Sequence, residues 1–299
     1  PHFRIVTGVS AGALIAPFVF AGSEYDSVLR EIFTSVHTKD IARSRNLLSA
    51  LTGEALYDSD PLRDMLKKHF NEAMLAKVAA EYRKGRNLFV ATTNLDAQRP
   101  VIWALGKIAA SGHPDAPQLF REVMLASASI PGIFPPVYVE TQVGDKTYEE
   151  MHVDGGATSQ VFLYPPTFDF RSFASDAGGI EDRTVYVIRN SASSAAYQPV
   201  SRKTLDIART AVSSLIRTQG EGDLYRIYLE CLRDNITFQL ATIPAEGFSQ
   251  PEEMFDPKYM IQLFDRGYEL ARNGYPWSTA PPGLRSRQDG LEAKTESHE

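Results

Sequence analysis

Residues 3–20 restrict the fold more than any other stretch of the chain. Phe3-Arg4-Ile5-Val6 reads as a strand and Ala13-Leu14-Ile15-Ala16-Pro17-Phe18-Val19-Phe20 as a buried helix, with Gly8-Val9-Ser10-Ala11-Gly12 between them. A strand that becomes a helix across so short a link must bend sharply, and the residue at the apex takes strained backbone angles. Side chains two positions to either side would collide across the bend, so both Gly8 and Gly12 are expected to be required as glycine. A bare G-x-S-x-G match also describes an ordinary glycine-lined turn. Here the strand before it and the apolar helix after it favour a nucleophilic Ser10 held out at the apex. The helix N-terminus would aim free amides and a positive dipole end at anything reacting there, and the Ala11 N–H is the first donor expected for an oxyanion.

Strand-like and helix-like runs alternate through the rest of the chain. Helices are expected over Tyr25–His37, from Asp60-Pro61 to Phe70, and over Glu72–Arg83, Leu119–Ser127, Lys203–Asp234 and Pro257–Arg272. The apolar, β-branched run Leu88–Thr93 suits a strand buried on both faces, and Pro100–Leu105 can pair with it across the Asn94-Leu95-Asp96 turn. Val137–Glu140 and Thr147–Val153 flank the Gly144-Asp145 turn, and Val185–Ile188 and Ile236–Ile243 complete the strands. The alternation predicts an α/β fold, a three-layer α/β/α sandwich on a mainly parallel central sheet. No repeat or Pro/Ser-rich linker divides the chain, so residues 1–277 read as one domain and the polar residues 278–299 as a disordered tail.

Composition narrows the function. At 299 residues, 43% hydrophobic and 23% charged, the chain can bury a large core. With 31 basic against 37 acidic residues the net charge is −6, and no dense Lys/Arg run appears, so no nucleic-acid partner is expected. Lys67-Lys68 and Arg43-Ser44-Arg45 read as solvated faces. The lone Cys231 leaves no intrachain disulfide and no zinc cluster. Gly8–Gly22 is uncharged but too short, and too interrupted by glycine and proline, to span a bilayer. The chain opens at Pro1 with its nucleophile strand almost at once, so a natural N-terminal segment is expected to precede it.

A serine hydroxyl needs a base. Of the six histidines, His37, His69 and His113 read as surface residues, His298 lies in the polar tail, and His2 sits at the wrong end of the first strand. His152 and Asp154 fall on one face of a strand by alternation. No usable histidine follows Asp154, so the Ser–Asp–His order of α/β-hydrolases has no base here. Asp154 stands at a strand's C-terminal end, where open α/β sheets place their sites, and Gly155-Gly156 lets substrate approach. Asp-Gly is also an ordinary turn pair. Burial would raise the carboxyl pKa and make it a better base for Ser10.

Together these segments resemble the patatin-like phospholipases. Gly8–Ala13 is similar to that family's nucleophile elbow, and Asp154-Gly155-Gly156 to its D-G-G/A motif. Ala126-Ser127-Ala128-Ser129-Ile130-Pro131-Gly132-Ile133-Phe134-Pro135-Pro136-Val137 resembles the stretch before that motif, and Ala91–Asp96 and Val101-Ile102-Trp103 resemble family segments in the same order. The resemblance covers roughly residues 3–166. It implies a lipid acyl hydrolase that uses a Ser10–Asp154 dyad through an acyl-enzyme, without metal or organic cofactor, and that acts on lipid or phospholipid esters. His152 becomes a supporting residue in this reading. One departure stands out: the family's G-G-G-x-[KR]-G oxyanion loop occurs nowhere in the chain. A non-catalytic lipid-binding member of the same fold and a small-ester esterase or thioesterase are the competing readings. Phe162, Tyr164, Phe168, Phe170 and Phe173 cluster beyond the D-G-G motif. They read either as acyl-chain or membrane-surface contacts or as packing under a loop.

Overall fold

The computed structural model describes residues 2–44, 54–164, 183–192, 199–244, 248 and 251–284. They fall into two compact units, Pro1–Tyr164 with Phe248–Asp265, and Pro165–Gly247 with Arg266–Glu299.

In the first unit, β1 (Ile5–Gly8) leads into α1 (Ala11–Ala21), followed by α2 (Asp26–Ser35), α3 (Thr38–Ile41), β2 (Arg43–Ser44) and β3 (Tyr57–Asp58). Then come α4 (Asp60–His69), α5 (Glu72–Arg83), β4 (Asn87–Asn94), β5 (Arg99–Ala104), α6 (Leu105–Ala110) and α7 (Ala116–Ser127). The hairpin of β6 (Val137–Val143) and β7 (Lys146–Asp154) closes the central sheet. That sheet runs β1-β4-β7-β6, with β5 also on β4, and helices flank it in the expected three-layer α/β/α arrangement.

The strand sense differs from the expected one. Only β1 pairs with β4 in parallel; β4–β5, β4–β7 and β6–β7 are antiparallel. Connection length decides this for β4–β5 and β6–β7, because a short turn can join only antiparallel neighbours. β4 and β5 are linked through Leu95–Gln98 and β6 and β7 through Gly144-Asp145, so the sheet is mixed.

Strand β4 is the spine. Leu88 and Val90 enter a core shared with Ala13, Ala16 and Phe20 of α1 and with Phe120, Val123 and Met124 of α7. Phe89, Ala91 and Thr93 on its other face are buried too. The small Ala13 and Ala16 let α1 lie close to the sheet, and the fully buried Phe20 ring contributes about 1.5–3 kcal/mol. The Arg86 guanidinium ties the ends of β1 and α1 together. It donates to Phe3 O at 2.8 Å and Phe20 O at 2.6 Å, stacks over the Phe20 ring and pairs with buried Glu81 at 2.8 Å.

In the second unit β8 (Thr184–Ala192) pairs in parallel with β9 (Thr237–Ile243), with α8 (Thr204–Arg233) before β9; α9 (Pro257–Arg272) follows in the chain, its residues up to Asp265 belonging to the first unit and those from Arg266 to the second. Leu224, Ile227 and Cys231 are buried, as are Phe238 and Leu240. Of the stretch expected to be a disordered tail, Ser278 exchanges two backbone hydrogen bonds with Leu240, and Pro282 O accepts from the Tyr225 hydroxyl. Residues 285–299 lie outside the described residues.

Candidate active site

Ser10 is the N-cap of α1 and adopts φ 56° and ψ −125°, one of few positive-φ non-glycine residues described. A side chain cannot hold that geometry without strain, so neighbouring structure must impose it. The glycine requirement is one-sided. A Cβ on Gly8 would collide with Gly12 O and the Ala13 Cα, whereas a Cβ on Gly12 meets nothing within 4 Å. The expectation that both glycines are sterically required is corrected accordingly: the helix turns its Gly12 face to open space while its backbone crosses directly over Gly8. The Ala11 N–H has no acceptor among the described residues, whereas the Gly12 N–H is taken by Val9 O at 2.9 Å.

Asp154 ends β7, and its placement follows from how β4 is shared. β1 covers Asn87–Val90 of β4, with Gly8 opposite Val90. β7 covers Thr92–Asn94, with Asp154 opposite Thr92. β5 occupies the other edge over Phe89–Asn94. The C-terminal ends of β1 and β7 therefore converge on one edge of β4, at Ala91. Gly155 confirms how tight this junction is, because a Cβ there would lie 2.5 Å from Ala91 O and 2.9 Å from Val9 Cγ1. A Cβ on Gly156 would come within 3.0 Å of Asp154 Oδ1, the oxygen that accepts the Gly156 N–H at 2.7 Å.

Asp154 is 4% exposed, and burial raises its carboxyl pKa to about 6, against the opposing influence of the nearby Ser10 hydroxyl and of the Gly156 N–H. The Ser10 hydroxyl thus faces the carboxylate. Oδ2 nevertheless has no partner at hydrogen-bonding distance among the described residues, so the approach is longer than an ordinary hydrogen bond. Such contacts tighten when substrate binds.

His152 does not join this pair. Its Nδ1 lies 2.9 Å from Thr92 Oγ1, which accepts from Trp103 Nε1 at 2.8 Å, and the ring packs against Trp103. The Thr92 hydroxyl therefore links Trp103 and His152 in one chain of hydrogen bonds. Nε2 is 3.5 Å from Glu150 Oε2 and makes no hydrogen bond among the described residues. Burial holds the His152 pKa below the usual range despite Glu150.

Sequence reasoning assigned no role to Ser127 and Ser129. Ser127 Oγ accepts the Ser10 N–H at 3.1 Å and donates to Ala91 O at 2.7 Å. Ser129 O accepts the Asp154 N–H at 2.8 Å. The idiosyncratic Ala126–Val137 run was the available signal, since it touches both halves of the site. Thr7 Oγ1 donates to the backbone of buried Phe162 at 2.9 Å, while Phe168, Phe170 and Phe173 lie outside the described residues. No group of three or more His, Cys, Asp or Glu placed to hold a metal, and no helix long and apolar enough to cross a membrane, occurs among the described residues.

An elbow serine and a strand-end aspartate thus meet over one edge of a mixed, helix-flanked sheet. The model of the patatin-like phospholipase family matches residues 1–166, and the chain belongs to that family. A similar solved structure is that of VipD from Legionella pneumophila, 13% identical, covering 65% of this chain and 35% of that one, with a TM-score of 0.24. The chain thus spans about a third of the length of that solved chain. No curated protein matches it.

Proposed function

We propose that this chain is a serine lipid acyl hydrolase in which Ser10 is the nucleophile and Asp154 the base. The observation that carries the reading is the convergence of β1 and β7 on Ala91, with a buried Asp154 carboxyl whose Oδ2 is left for the serine proton. Ser10 Oγ attacks the ester carbonyl of a lipid or phospholipid while Asp154 takes its proton. The Ala11 N–H and the N-terminus of α1 receive the developing oxyanion; each such donor is worth roughly 10²–10³ in rate. Collapse expels the alcohol, which recovers the proton from Asp154. Water then attacks the acyl-enzyme, with Asp154 again as base, and Ser10 is released. Gly8 permits the elbow, Gly12 leaves the approach to it open, and Gly155 and Gly156 permit the junction and hold the carboxylate. His152 supports the sheet beside the site.

A fluorophosphonate probe is expected to label the chain at Ser10 and to leave Ser10→Ala unlabelled. Asp154→Asn should fold and lose ester turnover, while His152→Ala keeps it. Labelling that survives Ser10→Ala would sink the assignment. Lipid binding without labelling or turnover would favour a non-catalytic, lipid-binding member of the fold.

A further inference from the structure

We infer that Ser127 is a positioning residue that fixes the nucleophile elbow relative to Asp154; this rests on the reading of Ser10 as nucleophile. At Ala91 the edge of β4 has lost both neighbours. The register of β1 would next place Val9 there, and that of β7 would place Gly155, but both strands have ended. A carbonyl in a buried sheet needs a donor, and the one that reaches Ala91 O is the hydroxyl of Ser127, the last residue of α7.

The same hydroxyl accepts the Ser10 N–H. A hydroxyl has one proton and two lone pairs, so the two bonds fix its direction: N–H of the elbow into Oγ, O–H into the sheet. Ser10 and Ser127 are 117 residues apart in sequence, so this is a tertiary tie, not a local cap. Ser127 is fully buried, and water cannot replace it cheaply. The tie pulls on the backbone of the one residue whose angles are strained at the site. Two residues on, Ser129 O holds the Asp154 N–H. One short segment therefore grips the backbones of both members of the dyad, and the Ser127 hydroxyl is its grip on the nucleophile. Without it, the Ser10 N–H and Ala91 O are left unpaired, the elbow relaxes, and Ser10 Oγ no longer stands against Asp154 Oδ2.

The test compares wild type, Ser10→Ala, Ser127→Ala, Ser127→Cys and the core variant Val78→Ala. Readouts are the second-order rate of fluorophosphonate labelling, kcat and KM on p-nitrophenyl butyrate, and Tm. Ser127→Ala is expected to label about tenfold to hundredfold more slowly, with kcat falling in step and KM within about twofold, as for a small misplacement of a reacting group. Ser127→Cys keeps the volume and a weaker donor, and should fall between the two. Val78, buried in α5 away from the site, should lower Tm yet leave the labelling rate unchanged. A folded Ser127→Ala that labels at the wild-type rate overturns the inference. If that variant does not fold, Ser127→Cys decides: a slowed rate supports the role, a wild-type rate overturns it. A wild type that resists the probe, or a label that survives Ser10→Ala, instead defeats the nucleophile reading and this inference with it.

Discussion

A carboxyl group that titrates at about pH 6 is a base only above that pH. For Asp154, kcat/KM is expected to rise with pH through about 6 and level off beyond it, as a pH–rate profile on a soluble ester will show. Stability should run the other way. The folded pKa lies above the ordinary 3.8, so the contribution of Asp154 to folding is full below about pH 4 and is lost as pH rises through about 6. At pH 8 the buried charge costs up to about 3 kcal/mol, a cost that asparagine avoids. Thermal melts of Asp154→Asn should therefore exceed wild type at pH 8 and match it at pH 4. Ser10 has its own cost, in backbone strain at φ 56°. Ser10→Gly is expected to remove labelling while raising stability by about 1 kcal/mol in urea titration; a destabilised variant would show the elbow is unstrained.

The elements around Ser10 separate two glycines that the motif treats alike. Gly8→Ala must displace the α1 backbone and is expected to cost on the order of 3 kcal/mol, read as a fall in Tm. Gly12→Ala enters open space within a helix, and its Tm should equal or exceed that of wild type. Equal losses in the two would contradict the geometry. Local pattern revealed the elements themselves well: α5 and α9 run over the expected residues, and β4 was marked by its unbroken apolar run. The elbow and Asp154 were legible because each needs glycine at a fixed offset. The order in which strands share β4 was not, because it depends on turns and on a junction between segments far apart in the chain. For the same reason Ser127 passed as one small residue among several. Its importance lies in two bonds to distant backbone, and no local pattern encodes those.

Taken whole, the chain is acidic, at −6, so its net charge supplies no long-range attraction to anionic lipid headgroups. Vesicle co-sedimentation should accordingly show no gain when anionic lipid is added to phosphatidylcholine, whereas a strong gain would reveal a basic docking face. The family match ends at residue 166, close to where the first unit's main segment ends at Tyr164. The part of the molecule that was recognisable in sequence is thus the part that carries the site. The head-to-head meeting of β1 and β7 also has a kinetic consequence. Neither strand end can be set by its own turn, so Ser10 and Asp154 come together only after the whole intervening chain has closed upon β4, a slow and entropically costly event. Helices such as α4 and α5 need no such closure. In refolding from urea, far-UV circular dichroism should return well before Ser10 becomes reactive toward a fluorophosphonate, and simultaneous recovery would argue against it. The chain would spend the interval as a native-looking but chemically silent species.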